Sequence, residues 1–189
     1  MSLSTTYTTQ NELLLNNLMD FYTNEEYLSR MLKIITGESK ISLRIVDWFA
    51  TNYAKKYYTL YTINLTNENK IRFKVYFDYK LKLKAYSKKR FDPFCRWDRI
   101  SIPYKNGTSI ETTIGQLNFF KWAIENKVIE YIENNYEDIE KDMNTRNSTS
   151  KRKDIVIDNS KTRKKREELS VSATKSIKKE EVEIVVQFN

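Results

Sequence analysis

The sequence contains no histidine and a single cysteine, Cys95. Without histidine, Ser-His and Cys-His nucleophile pairs, His-ligated zinc and the commonest general base are removed together. One thiol excludes an intramolecular disulfide and a cysteine-rich metal site, and it suits a reducing intracellular compartment. Glycine occurs at positions 37, 107 and 115 only, so neither a P-loop nor a dinucleotide fingerprint can be spelled. No run approaches the roughly 18 apolar residues of a membrane span. The opening MSLSTTYTTQNELLLNN lacks the charged start and apolar stretch of a signal peptide. The expectation is a soluble intracellular protein with no cofactor, no metal and no membrane partner.

What is present is positive charge and aromatic rings. The 33 Lys and Arg exceed the 25 Asp and Glu, for a net charge of +8 and a pI near 9.3. That balance suits a polyanionic partner, nucleic acid first and an anionic membrane surface second. With 40% hydrophobic and 13% aromatic residues in 189, the chain can bury one good core.

Residue spacing then suggests the organisation. Asn11 can cap a helix carrying Leu13, Leu14, Leu18, Met19 and Tyr22, and Tyr27, Met31, Ile34 and Ile35 mark a second helix ending at Gly37. From residue 41 the period reads as two: ISLRIVDWFATNYAKK, YYTLYTINL, a polar turn TNENK, a long strand over 71–86, then RISIPY and TSIETTI around the turn KNG. Helical spacing returns with Leu117, Phe120, Ile124, Val128, Ile132, Tyr136, Ile139 and Met143, predicting one long amphipathic helix over a face of the sheet. The fold class expected is α+β: a curved antiparallel sheet, with an OB-like barrel as one form it can take, between an N-terminal helical pair and a long C-terminal helix. Residues 1–143 are expected to form one domain and 144–189 a flexible basic tail ending in a strand-like segment.

The stretch IRFKVYFDYKLKLKAYSKKR, residues 71–90, alternates residue type. Read as a strand, it places Arg72, Lys74, Tyr76, Lys80, Lys82, Lys84 and Tyr86 on one face, with same-side neighbours about 6.6 Å apart. Lysines at that spacing can follow the phosphates of a single strand while tyrosines stack on unpaired bases. Lys88, Lys89, Arg90, Phe91 and Arg96 continue the pattern into a loop where Phe91, Phe94 and Trp97 lie among cations and Asp92-Pro93 makes a turn. The plain alternatives are a lysine-rich face that keeps a sheet soluble and aromatic residues that plug the core. Carboxylates for a metal-dependent nuclease exist in Asp47, Asp78, Asp92, Asp98 and Glu111, but their scatter is what any charged domain contains, so no catalytic residues are assigned.

The stretches ISLRIVDWFATNYAKK, LKAYSKKRFDPFCRWDRI, TTIGQLNFFKWAIENKVIEYIENN and SVSATKSIKKEEVEIVVQFN resemble a family of small uncharacterised proteins encoded by nucleo-cytoplasmic large DNA viruses, the giant viruses. The resemblance implies a viral protein in the host cytoplasm or nucleus, or in the virion, and brings no chemistry with it.

The tail carries two basic clusters, Lys151, Arg152 and Lys153, then Arg163, Lys164, Lys165 and Arg166. These suit nuclear import, phosphate neutralisation or solubility alike. The closing residues 181–189 alternate Val182, Ile184, Val186 and Phe188 on one side, as for a strand added to the chain's own sheet or to a protein partner. The leading expectation is a non-enzymatic nucleic-acid-binding protein of low sequence specificity, with single-stranded DNA favoured, serving viral genome replication, transcription or packaging. The alternative is a virion structural or assembly protein that uses its C-terminal strand and aromatic loop for protein contacts.

Overall fold

The computed structural model describes residues 9–64, 70–95, 99–104, 108–154 and 178–181. The N-terminal helical pair is present. Helix α1 (Gln10–Tyr22) starts at Thr9, not Asn11, because Thr9 and Glu12 form a reciprocal capping box, the Thr9 amide donating to Glu12 at 2.7 Å. Helix α2 (Glu25–Thr36) is capped by Asn24 and closed by Gly37 at φ 81°, a left-handed position that glycine takes without steric cost. Leu18, Tyr22, Leu28, Met31, Leu32 and Ile35 bury the inner faces of the pair.

Residues 41–56 overturn the expected strand. They form α3 (Leu43–Trp48), a π-helical stretch (Phe49–Tyr53) and a final turn, α4 (Ala54–Lys56). The buried residues Ile45, Val46, Phe49, Ala50 and Ala54 recur three or four apart, and Ser42 accepts from the Ile45 amide as an N-cap. Both are helix signals.

A hairpin follows. Strand β1 (Leu60–Asn64) pairs antiparallel with β2 (Lys70–Lys74), Tyr61 opposite Phe73 and Thr62 opposite Arg72. The long strand expected over 71–86 stops at Lys74, and α5 (Val75–Phe91) replaces the rest. Residues 76–90 contain no Val, Ile or Thr, so the side chains that favour a pleated sheet are missing. Val75 and Tyr79 are buried, with Leu83 and Tyr86 packed against the core on the same helical stripe. Ser87, at φ 62°, kinks the last turn.

The second sheet holds β3 (Arg99–Pro103), β4 (Thr108–Thr113) and β5 (Lys178–Glu181) in the order β3-β4-β5, all antiparallel. Ile102 and Ile110, both buried, face each other across it. The expected C-terminal pairing begins upstream of the alternating segment, and residues 182–189 lie outside those described. The protein is thus α+β, mostly helical, with two small antiparallel sheets of two and three strands; among the described residues the sheets do not join into a barrel.

The single long helix is also corrected, to three. Helix α6 (Ile114–Glu125) is buried on nearly every side, including Leu117, Phe119, Phe120, Trp122 and Ala123, as befits a helix apolar all round. Asn126 ends it and Lys127, at φ 56°, redirects the chain into α7 (Val128–Asn134); Asn135 precedes α8 (Tyr136–Asp154). Each asparagine bonds back to its own helix, Asn126 Nδ2 to the Trp122 carbonyl and Asn135 Nδ2 to that of Tyr131, both at 2.8 Å. Those bonds satisfy terminal carbonyls that a continuing helix would have used. Asp142 in α8 accepts from Trp48 Nε1 at 3.1 Å and pairs with Lys56, docking α8 on the α3 to α4 segment.

Candidate nucleic-acid interface

The helix in place of a strand rearranges the expected site. Successive helical residues turn by about 100°, so Lys80 and Lys84 share a face while Lys82 lies about 160° from each. Accordingly Lys80 and Lys84 are exposed and Lys82 is half-buried on the flank. The continuous shelf over 72–86 is therefore not formed. Tyr86 is half-buried and stacks on Phe91, ring centres 6.1 Å apart and planes 20° from parallel. Phe91 is fully buried among Tyr79, Phe119 and Trp122; it belongs to the core and cannot meet a base. Lys88 and Lys89 are exposed beyond the Ser87 kink, and Arg90, half-buried, gives its carbonyl to Asn118 Nδ2 at 2.9 Å. Lys151, Arg152 and Lys153 fall in the last turns of α8. Arg96, Trp97, Arg163, Lys164, Lys165 and Arg166 lie outside the described residues.

The strand reading does hold over the five residues of β2. Lys70, Arg72 and Lys74 are exposed, as is Ile71, while Phe73 is buried, and the three cations share one side of the hairpin opposite Asn64, Thr62 and Leu60. Where this face meets the start of α5 there is a groove of about 420 Å3. Its lining comes from two chain segments, Lys55, Tyr58 and Leu60 from α4 to β1 and Lys74, Tyr76 and Phe77 from β2 to α5. Lys55 Nζ lies 5.7 Å from the Tyr76 ring centre and Lys74 Nζ 6.0 Å from that of Phe77, both within cation–π reach. Tyr58 is 78% exposed, Phe77 59%, and Leu81, one turn along α5 from Phe77, 65%. An apolar surface of this kind, rimmed by four lysines at 55, 74, 80 and 84, is unusual for solvent contact alone.

Of the residues expected to bind, the hairpin face and groove bring together Arg72, Lys74 and Tyr76, with Lys80 and Lys84 on the adjoining helix face. Lys55, Tyr58, Leu60, Lys70 and Phe77 were missed. Phe77 was hidden by the period-two reading, which turned it inward. Tyr58 had a signal in the run AKKYYTL, where aromatic residues follow lysines directly.

The carboxylates are otherwise engaged. Asp78 accepts from Trp122 Nε1 at 2.6 Å, Asp92 accepts from the Phe94 amide at 2.9 Å in the expected turn, and Glu111 pairs with Arg99 at 3.1 Å. Burial, with the nearby charge of Asp92, pushes the Asp47 carboxyl up to about 7. Asp98 lies outside the described residues, and among those described no three His, Cys, Asp or Glu residues are placed to hold a metal ion. No described helix is long and apolar enough to cross a membrane.

A profile of the family of unknown function DUF7197 matches residues 3–189, essentially the whole chain. The chain belongs to the DUF7197 family. A relative, an uncharacterized protein of Acanthamoeba polyphaga mimivirus, is 46% identical over 147 residues, covering 75% of this chain and 56% of the relative. The chain thus spans little more than half the length of that relative. The resemblance to uncharacterised giant-virus proteins, expected from the sequence, is borne out by this match. No solved structure matches the chain.

Proposed function

We propose that the protein binds nucleic acid without catalysis and with little sequence preference, using the outer face of the β1–β2 hairpin and the groove beside it. The observation that carries this reading is the row Lys70, Arg72 and Lys74 on one side of β2. Its same-side spacing of about 6.6 Å leads directly into the lysine-flanked aromatic groove. Cations in a row follow a phosphate backbone, and exposed rings at their end offer stacking surfaces to unpaired bases, which favours single strands, DNA foremost. The proposal does not require an OB-like barrel, because the hairpin and α5 supply the surface. In the giant-virus setting such a protein serves genome replication, transcription or packaging, in host cytoplasm, nucleus or virion.

Filter binding of single-stranded DNA, duplex DNA and RNA across a salt series tests it. Log affinity should fall linearly with log salt, and replacing Lys70, Arg72 and Lys74 together by Gln should reduce the slope by about 2, near 0.7 per cation on a single strand. Absent or salt-insensitive binding would sink the proposal.

A second reading, an assembly role, is favoured by β5 lying at the edge of the β3-β4-β5 sheet, directly before residues 182–189. An edge strand can accept a strand from another chain. Deleting residues 179–189 should abolish self-association under this reading and leave nucleic-acid affinity unchanged.

A further inference from the structure

Tyr58 has φ 49°, the left-handed region. It follows the last turn of α4, and the Thr59 amide reaches back to the Ala54 carbonyl at 3.1 Å. That six-to-one bond closes a helix with a left-handed residue before it, a position glycine ordinarily fills because a Cβ is disfavoured there. The Thr59 carbonyl in turn accepts from the Val75 amide at 3.3 Å, bracing the turn against the start of α5. Here a tyrosine occupies the strained position, and its side chain is the most exposed of the large apolar residues described. The ring therefore gains little packing within the fold to offset the strain. Strain retained at an exposed aromatic residue points to a contact made with something else.

That contact is in reach within the groove. Tyr58 and Phe77, both exposed, line the same groove, together with Lys55 and Lys74. We propose that Tyr58 and Phe77 are the walls of a stacking site for one unpaired base, with the neighbouring phosphates of a single strand held by Lys55 and Lys74. The inference rests on the nucleic-acid reading above and narrows it. A paired base inside a duplex cannot enter a groove between two rings, so the site selects single strands. The positive charge of Lys55 and Lys74 in the lining fits a polyanion and disfavours a cationic peptide segment as occupant.

The test compares Tyr58→Gly with the native chain. Fluorescence anisotropy is measured with oligodeoxythymidylate, with an abasic oligonucleotide of equal length, and with a duplex, alongside thermal melts. Tyr58→Gly should melt higher, since glycine relieves the left-handed strain. It should also bind oligodeoxythymidylate at least about tenfold more weakly, the size of one lost stacking contact. Abasic affinity and the salt slope should stay unchanged. Phe77→Ala should lose the same base-dependent affinity without the gain in melting temperature. A Tyr58→Gly variant that melts lower, or that keeps the native ratio between the two oligonucleotides, overturns the stacking site while leaving a salt-dependent binder intact. If the native chain binds none of the three nucleic acids at low salt, the broader reading fails with it. Loss of self-association in Tyr58→Gly with both oligonucleotides bound normally would give the groove to a second copy instead, and would also overturn the proposal.

Discussion

The indole Nε1 of Trp122 donates to Asp78 Oδ1 at 2.6 Å, joining the first turn of α5 to the buried middle of α6. This bond sets the rotation of α5. With Asp78 held against α6, Tyr79 turns inward onto Trp122 and Phe119 while Phe77 faces the groove. Trp122 is only 3% exposed, so Asp78→Ala would leave its N–H without an acceptor. The expected cost is about 1–3 kcal/mol, read as a lower urea midpoint at unchanged slope. Asp78→Asn keeps an acceptor oxygen and should recover most of the loss.

Gly115 is a second fixed point between the same helices. A Cβ there would sit 2.8 Å from the Asp92 carbonyl oxygen and 3.2 Å from that of Lys89. Both neighbours are backbone and cannot swing away. Alanine is the better helix former by about 1 kcal/mol, yet overpacking of this kind typically costs about 1–3 kcal/mol. Gly115→Ala should therefore lower the melting temperature. A rise would mean that the α5–β3 turn shifts freely.

The sequence was most legible where local signals stood alone. The α1 and α2 pair was marked by spacing and by Gly37, and the β3–β4 hairpin by alternation around a turn. Residues 71–90 were harder, because Lys and Leu alternate there while Val75, Tyr79, Leu83 and Tyr86 also satisfy a helical stripe. The absence of β-branched residues after Val75 was the deciding feature. Tertiary packing against α6, which no local window contains, then selected the helix. The binding surface suffered from the same choice: Arg72 and Lys74 kept their places, Lys82 turned to the flank, and Phe77, which alternation had turned inward, is exposed, while Phe91, expected from the cation-rich loop to stack on bases, is buried in the core.

That exchange has a measurable signature among the lysines of α5. On a strand, Lys80, Lys82 and Lys84 would contribute alike to the salt dependence of binding. On the helix, Lys80 and Lys84 adjoin Phe77 and Leu81 on the exposed side, and Lys82 does not. Lys80→Gln and Lys84→Gln should each reduce the slope of log affinity against log salt by about 0.7 for a single strand. Lys82→Gln should leave it unchanged. Equal effects from all three would remove the helical face from the interface.

Asp47 gives the fold a pH dependence of defined sign. Burial first, and then the charge of Asp92, raise its carboxyl to about 7 in the folded protein, against about 3.9 in an unfolded chain. Between those values the native state holds a proton that the unfolded state has released, so stability is greatest below about pH 4 as far as this group is concerned and declines as pH rises through 7. The decline is at most about 1.4 kcal/mol per pH unit. The window is separable from that of Asp142. Burial would raise that carboxyl too, but hydrogen bonds from Lys56 and Trp48 outweigh it and hold it below its ordinary value. Its contribution is therefore lost only as pH falls below the ordinary carboxylate range. Asp47→Asn, neutral at every pH, should flatten the melting temperature between pH 5 and 8 and be more stable than the native chain at pH 8. Asp92→Asn, which keeps an acceptor for the Phe94 amide, should weaken the decline without abolishing it, since burial is the larger cause. Melts of both variants across that range decide the matter, and a native chain that gains stability from pH 5 to 8 would mean that the surroundings of half-buried Asp47 do not raise its carboxyl.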